Sequence, residues 1–204
     1  MIGRVTIESC RVPLAQVFTS LLIVLVLLTR SRWSEIAPVV ATAFFAAGVF
    51  LAAVAALGRA WCSIYIAGYK GRVLVTEGPY SVCRNPLYFF SMLGGIGLGL
   101  TAKSLTVPLV FLGGFGLYYS LVIRREEQAL RQAFGRDYDD YARVTPRFLP
   151  RLSSLREPLD YVVHPRIFRE HLLSAAWFVW LIALVAVVEA LHGALVLPNL
   201  LSLY

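Results

Sequence analysis

Five stretches of the chain carry no Asp, Glu, Lys or Arg: Val12–Thr29, Ile36–Leu57, Leu87–Ala102, Leu105–Ile123 and Leu172–Val188. A hydrocarbon core of roughly 30 Å is crossed by about 20 helical residues. Each run is therefore predicted to be a transmembrane helix, the third being short. Leu87–Ala102 and Leu105–Ile123 flank a Lys103-Ser104 turn and predict a helical hairpin. Arg4 and Arg11 precede the first run as they would in a signal peptide. No convincing cleavage site follows and further spans come after it, so it reads as a first membrane helix. The predicted fold is all-α, a polytopic transmembrane bundle of about five spans.

The charged residues lie between these runs, and their placement orients the bundle. With the N-terminus inside, only three of the 19 Lys and Arg fall on the outer side: Arg30, Arg32 and Lys103. Cytoplasmic loops of membrane proteins hold the excess of Lys and Arg, so the expected topology is N-terminus cytoplasmic and C-terminus outside. The expected location is a bacterial or archaeal-type inner membrane. The 204 residues suffice for a single membrane domain spanning 1–204.

Composition agrees with this placement. Hydrophobic residues make up 58% and charged ones 15%, with a mean hydropathy of +0.70. A soluble domain carries about a quarter charged residues. The net charge of +7 would suit nucleic acid, but a charge excess confined between apolar runs excludes that class. Cys10, Cys62 and Cys83 have no paired spacing, and His164, His171 and His192 are scattered. Neither a disulfide framework nor a metal site is expected.

Two charged stretches, Gly58–Pro86 and Arg124–His171, are too long and too specifically composed to be simple connectors. In the first, Gly78-Pro79 makes a turn, and Pro86 stands near the first turn of the third span, where its missing N–H costs nothing. A helix N-terminus suits a carboxylate or a hydroxyl-rich ligand. Arg84 and Asn85 would equally serve to cap and anchor a membrane helix. The second stretch opens on Glu126-Glu127, a pair able to meet an ammonium or ribose hydroxyls, or to be solvated beside Arg124 and Arg125. Leu130, Phe134, Tyr138 and Tyr141 recur at spacings of 4, 4 and 3 and predict one cytoplasmic amphipathic helix lying over the mouth of the bundle. Asp137, Asp139 and Asp140 form its wet side. Gly95 and Gly99 form a small-xxx-small face for close helix packing, and Glu189 beside His192 is placed near the outer interface.

Gly78-Pro-Tyr80, Arg84-Asn85-Pro86-x-Tyr88, the hairpin, Glu126-Glu127, Phe134-Gly135, Tyr138, Tyr141, Pro146-Arg147 and Pro150 together resemble the isoprenylcysteine carboxyl methyltransferase superfamily, which includes the phospholipid methyltransferases. The resemblance runs from Arg72 to Pro150. It implies a methyltransferase-like catalytic core at 72–150, and a linker with a C-terminal transmembrane helix at 151–204. It also implies S-adenosylmethionine as cofactor, in a pocket at the cytoplasmic helix ends that the amphipathic helix covers. The implied cofactor-binding residues are Arg72, Val73, Leu74, Val75, Tyr80, Asn85, Pro86, Leu87, Tyr88 and Glu126. Arg84 and Glu126 are the implied catalytic residues. The acceptor is expected to be lipid-like or hydrophobic, reached from the bilayer, and oligomerisation through the transmembrane helices stays open. The family's usual residue at position 85 is His, and Asn cannot titrate. The prenylcysteine enzymes carry an Arg four residues before the acidic pair, where this chain has Val122, so prenylcysteine is not carried over as substrate. Two other readings stand beside this one: an NADPH-dependent membrane reductase of the related sterol-reductase type, and a non-enzymatic scaffold or transport protein.

Overall fold

The computed structural model describes residues 29–69, 71–194 and 201–203. The expected span Val12–Thr29 lies outside these residues but for Thr29, as do Cys10 and Lys70. Among the described residues the chain forms seven α-helices and one short parallel pairing between β1 (Thr29–Ser31) and β2 (Leu201–Leu203). The helices are α1 (Trp33–Ile36), α2 (Pro38–Ile66), α3 (Pro79–Val82), α4 (Pro86–Thr101), α5 (Thr106–Phe134), α6 (Arg136–Val144) and α7 (Pro165–Gly193).

Local chemistry sets most of these boundaries. Pro38, Pro79, Pro86 and Pro165 each stand at a helix start, where a proline ring presets the helical φ and no amide is lost. The α2 helix ends where Ala67 turns extended and Gly68 takes a positive φ. The long α5 stops at Gly135, whose φ of 53° and ψ of −121° suit glycine alone.

Three helices, α2, α5 and α7, are long and apolar enough to cross a membrane, while α4 is a shorter apolar helix of 16 residues. Three of the expected spans thus correspond to α2, α5 and α7, and the hairpin to α4 and α5. All three run past the expected ends: α2 continues nine residues beyond Leu57, α5 carries Glu126 and Glu127 on its extension, and α7 runs from Pro165 to Gly193 around the expected Leu172–Val188. Leu57, Leu117 and Trp180 are about 70% exposed or more. Side chains of this kind at such exposure need lipid rather than water around them, and the fold is a membrane helical bundle.

The bundle closes around small residues. A Cβ on Gly97 of α4 would lie 2.7 Å from the Gly48 carbonyl oxygen of α2, so the two backbones touch. Gly95 faces Phe111 of α5 and Gly94 faces Phe178 of α7, each too closely to admit a side chain. At the end of the bundle that carries the α4–α5 turn, Lys103 pairs with Glu189 of α7 and lies 6.0 Å from the Phe45 ring, while Ser31 Oγ donates to the Lys103 carbonyl. Glu189 thus has an electrostatic partner at that end, and the cluster of charged residues described next occupies the other.

Candidate functional site

At the end of the bundle where α2 and α5 finish and α4 begins, three chain segments enclose a cavity of about 290 Å³. This is near the lower end of the roughly 300–1,000 Å³ of small-molecule pockets. One wall is the extended segment after α2, with Gly71, Val73, Leu74 and Val75. A second is the junction from α3 into α4, with Tyr80, Arg84, Asn85, Pro86, Leu87 and Tyr88. The third is one face of the α5 extension, Glu126, Ala129, Leu130, Ala133 and Phe134, whose spacings of three and four align them. Tyr141 of α6 and Ile66 of α2 complete the lining.

The structure therefore brings together every predicted site residue but one: Arg72 is exposed and stands outside the wall. Four lining residues have no counterpart in the sequence expectation: Ile66, Gly71, Ala129 and Ala133. Had the helix after Leu105 been continued past Ile123, the two alanines would have stood on the Glu126 face.

The expected single amphipathic helix is corrected. Leu130 and Phe134 belong to α5, Tyr138 and Tyr141 to α6, because the positive φ of Gly135 turns the chain between them. The two pieces still cover the cavity together. Tyr138 packs fully buried below Arg131, 5.5 Å from its guanidinium, and Arg131 Nε donates to Asp139 at 2.7 Å.

A polar lattice holds these segments in register. Glu127 accepts from Asn85 Nδ2 at 3.3 Å and pairs with Arg84 at 3.4 Å and Arg147 at 3.0 Å. Asn85 Nδ2 also donates to the Arg147 carbonyl at 3.0 Å. The Arg84 amide donates to the Pro146 carbonyl at 2.8 Å, and the Arg151 amide to the Val82 carbonyl at 2.9 Å, so the segment after α6 is strapped along α3. Tyr141 donates its hydroxyl to the Tyr80 carbonyl at 2.7 Å. Because the Asn85 side chain is committed to Glu127 and Arg147, it does not cap α4. The first-turn amides of α4, which no intrahelical carbonyl can take, adjoin the cavity.

Two phenols of the cavity wall and one thiol beside it have their proton loss disfavoured. Burial pushes the Tyr80 and Tyr141 hydroxyls well above the usual phenol range, and burial pushes the Cys83 thiol up to about 11. Formal charge at the wall comes from Arg84 and Glu126. The Tyr80 hydroxyl is buried without a hydrogen-bond partner. Buried polar atoms normally find one, so it is fitted to a polar ligand. A carboxylate, a guanidinium, uncapped helix amides, an orphan phenol and an apolar wall together suit a molecule with cationic, anionic and flat apolar parts, as S-adenosylmethionine has. Among the described residues no three His, Cys, Asp or Glu side chains gather as a metal site would need.

Comparison with known proteins gives this cavity a lineage. The chain is 36% identical over 193 residues to the nickel-cobalt-cadmium resistance protein NccN of Alcaligenes xylosoxydans xylosoxydans, covering 95% of this chain and 89% of that protein. It is 37% identical over 195 residues to the cobalt-zinc-cadmium resistance protein CzcN of Cupriavidus metallidurans, covering 95% and 88%. A shorter match, 31% over 77 residues, covers 38% of the chain and 39% of protein-S-isoprenylcysteine O-methyltransferase B of Arabidopsis thaliana. No solved structure matches the chain. The profile of the phospholipid methyltransferases matches residues 36–137, a segment that holds every lining residue of the cavity except Tyr141, and to that family the chain belongs.

Proposed function

We infer that the protein is an integral membrane S-adenosylmethionine-dependent methyltransferase acting on a lipophilic acceptor at the cytoplasmic membrane face. The observation that carries this reading is the convergence of Val73–Val75, Tyr80, Arg84–Tyr88 and Glu126 on one cavity where the membrane helices end. The 72–150 core would supply the chemistry, and the 151–204 segment a linker and a covering helix. The N-terminus would be cytoplasmic and the C-terminus outside, since this orientation puts the arginine-rich cavity end inside.

Each wall has a task in this reading. Glu126 balances a cationic group or accepts from sugar hydroxyls. The first turn of α4, at Leu87 and Tyr88, meets a carboxylate through its amides and its partial positive charge. The Tyr80 hydroxyl takes a polar edge, and Val73, Leu74, Val75, Leu130 and Phe134 enclose a flat apolar part. Bound S-adenosylmethionine supplies a sulfonium-activated methyl group. Displacement from such a centre needs chiefly alignment, and holding the reacting atoms about 3–3.5 Å apart supplies much of the rate. Burial of the Tyr80 and Tyr141 hydroxyls, which disfavours their loss of a proton, agrees with chemistry by alignment rather than by proton transfer. Arg84, anchored on Glu127, holds the negative charge of a bound group against the cavity wall.

Calorimetry on detergent-purified protein tests this. S-adenosylmethionine should bind with micromolar affinity, and Glu126→Ala should abolish binding. Binding of NADPH with no binding of S-adenosylmethionine would replace the reading with a reductase. The names of the two long relatives further suggest that the activity supports tolerance of nickel, cobalt or cadmium. A strain lacking the protein should then be metal-sensitive, and a Glu126→Ala copy should fail to rescue it. Full rescue by that copy would separate metal tolerance from methyl transfer.

A further inference from the structure

The chain between α6 and α7 turns its polar groups inward and its large apolar side chains outward. The Arg151 amide donates to the Val82 carbonyl at 2.9 Å, and the Arg156 amide to Ser81 Oγ at 2.9 Å. The Arg156 carbonyl accepts from the Gly78 amide at 2.8 Å, and Ser154 Oγ donates to the Ser81 carbonyl at 3.0 Å. Farther along, Tyr161 donates its hydroxyl to the Tyr65 carbonyl at 2.7 Å, and Tyr69 donates to the Val162 carbonyl at 3.0 Å. With the backbone fastened in this way, Leu149, Leu152, Leu159 and Val162 are each at least 70% exposed, and Leu155 is 43% exposed. These side chains form an apolar ridge of a kind that a protein seldom leaves in water.

Both ends of the ridge lie where membrane helices begin. Before it, the Phe148 ring is 6.0 Å from the ring of Phe89, in the first turn of α4. After it, the chain enters α7 at Pro165, and Leu173, Trp177 and Trp180 expose one face of that helix to lipid at spacings of 4 and 3. The ridge therefore runs at the depth where headgroups meet acyl chains, and it leads onto a lipid-facing surface. Its charge narrows the occupant further. Exposed Arg151, Arg156, Arg166 and Arg169 stand along this stretch against Glu157, Asp160 and Glu170, and Glu157 bonds the Tyr65 hydroxyl. The balance is close to neutral, so contact rests on apolar area rather than on lipid charge, and a zwitterionic leaflet suffices. The arginine stems lie along apolar surface while their heads stay in the polar layer.

We propose that residues 149–162 are a membrane-surface anchor that braces the cavity wall. The leucines enter the boundary between headgroups and acyl chains of the leaflet at the cavity end, roughly 5–10 Å deep. The backbone behind them holds Gly78, Ser81 and Val82, and so fixes the short α3 helix that carries Tyr80. This bracing holds whatever ligand the cavity takes, and it reaches beyond the matched family segment 36–137.

Fluorescence quenching tests the anchor. Leu152→Cys and Leu159→Cys, each in a chain carrying Cys10→Ser, take a nitrobenzoxadiazole label, while Cys62 and Cys83 are buried and stay unlabelled. Leu117→Cys serves as the lipid-facing control and Asp137→Cys as the water-facing one. The host is a phosphatidylcholine nanodisc holding one copy of the protein. Compared with the label at position 137, those at 152 and 159 should be quenched about threefold more by a nitroxide placed high on the acyl chain, and about threefold less by iodide. Iodide quenching equal to that at position 137 would put the ridge in water and overturn the anchor. Protection seen only in discs holding two copies would give the surface to a second copy, and would overturn it too. Hydrogen exchange tests the brace in the same discs. Leu152→Ser combined with Leu159→Ser should speed deuterium uptake across residues 78–84 about tenfold, while residues 94–101 exchange as in wild type. Leu152→Met with Leu159→Met should keep the slow exchange. Uptake that rises equally in both segments, or in neither, would overturn the brace.

Discussion

Glu127 ties α5 to the start of α4 and to the loop after α6, and its removal should loosen all three. In Glu127→Ala the helix itself keeps a good helix former, so the cost falls on the polar partners. The pair with Arg147, whose side chain is 42% exposed, contributes about 0.5 kcal/mol as a surface pair. The pair with Arg84 joins side chains 16% and 15% exposed. Breaking a fully buried pair on one side costs roughly 3–5 kcal/mol, so this partly buried one should cost about 2 kcal/mol. Asn85 Nδ2 loses a long bond of 3.3 Å but keeps the Arg147 carbonyl, a loss of about 0.5 kcal/mol. The sum is about 3 kcal/mol, which for a chain of this size lowers the melting midpoint by about 6–12 °C. A thermal scan of detergent-solubilised protein measures it. Arg84→Ala removes the stranded cation, so the double variant should melt higher than the two single shifts predict, with a coupling of about 1–2 kcal/mol. A midpoint shift under about 2 °C, well below that range, or strict additivity in the double variant, would refute the lattice as the support of the site.

Three further outcomes follow from the same geometry. Tyr80→Phe deletes a buried hydroxyl that has no partner, so it should leave the melting point unchanged or raise it. If that hydroxyl meets the cofactor, the same variant should weaken S-adenosylmethionine binding about fivefold in calorimetry. Gly78→Ala places a methyl group into the Tyr65 ring at a φ of +57°. It should cost more than about 2 kcal/mol, read as a lower midpoint, because Tyr65 is itself held against Tyr161 at 4.7 Å. Cys83 holds its proton in the folded chain up to about 11, above its ordinary 9.0. Between those values the unfolded chain has lost a proton that the folded one keeps. Stability should therefore be unaffected by this group below pH 9 and fall as pH rises from about 9 to about 11. Cys83→Ala should flatten that part of a pH–melting profile.

The bundle was legible in the chain because a run of about 20 residues without charge is what a bilayer crossing demands and what a water-facing helix rarely shows. Helix starts were legible where proline marked them, as at Pro86. Helix ends were not, because hydropathy falls at Leu57 and Ile123 while helical hydrogen bonding continues to Ile66 and Phe134. That difference hid Ala129 and Ala133, small residues whose role is to leave space. The Gly135 turn was hidden as well, because the 4, 4, 3 spacing of Leu130, Phe134, Tyr138 and Tyr141 is what an unbroken helix would give, and a single positive φ redirects it. Val73–Val75, Tyr80, Arg84–Tyr88 and Glu126, which line the cavity, were reached only through the family resemblance and not from the pattern of polar and apolar positions. The lattice that fixes them was not legible at all: Asn85, Glu127 and Arg147 lie up to 62 positions apart, and only folding makes them neighbours.

The unequal lengths of the hairpin helices make the cavity answer to the bilayer itself. At 1.5 Å per residue the 16 residues of α4 span about 24 Å, short of a hydrocarbon core of roughly 30 Å. Its partner α5, with 29 residues, reaches about 43 Å and overhangs it. One wall of the cavity rides on the start of the short helix, and the opposite wall on the overhang of the long one. A thicker membrane strains the short helix and rewards uprighting of the long one, and a thinner membrane does the reverse, at a fraction of a kcal/mol per Å. Bilayer thickness would then act as a gauge on the separation of Leu87 and Leu130, so the cavity of the same protein would differ in width from one lipid composition to another with no change in any residue.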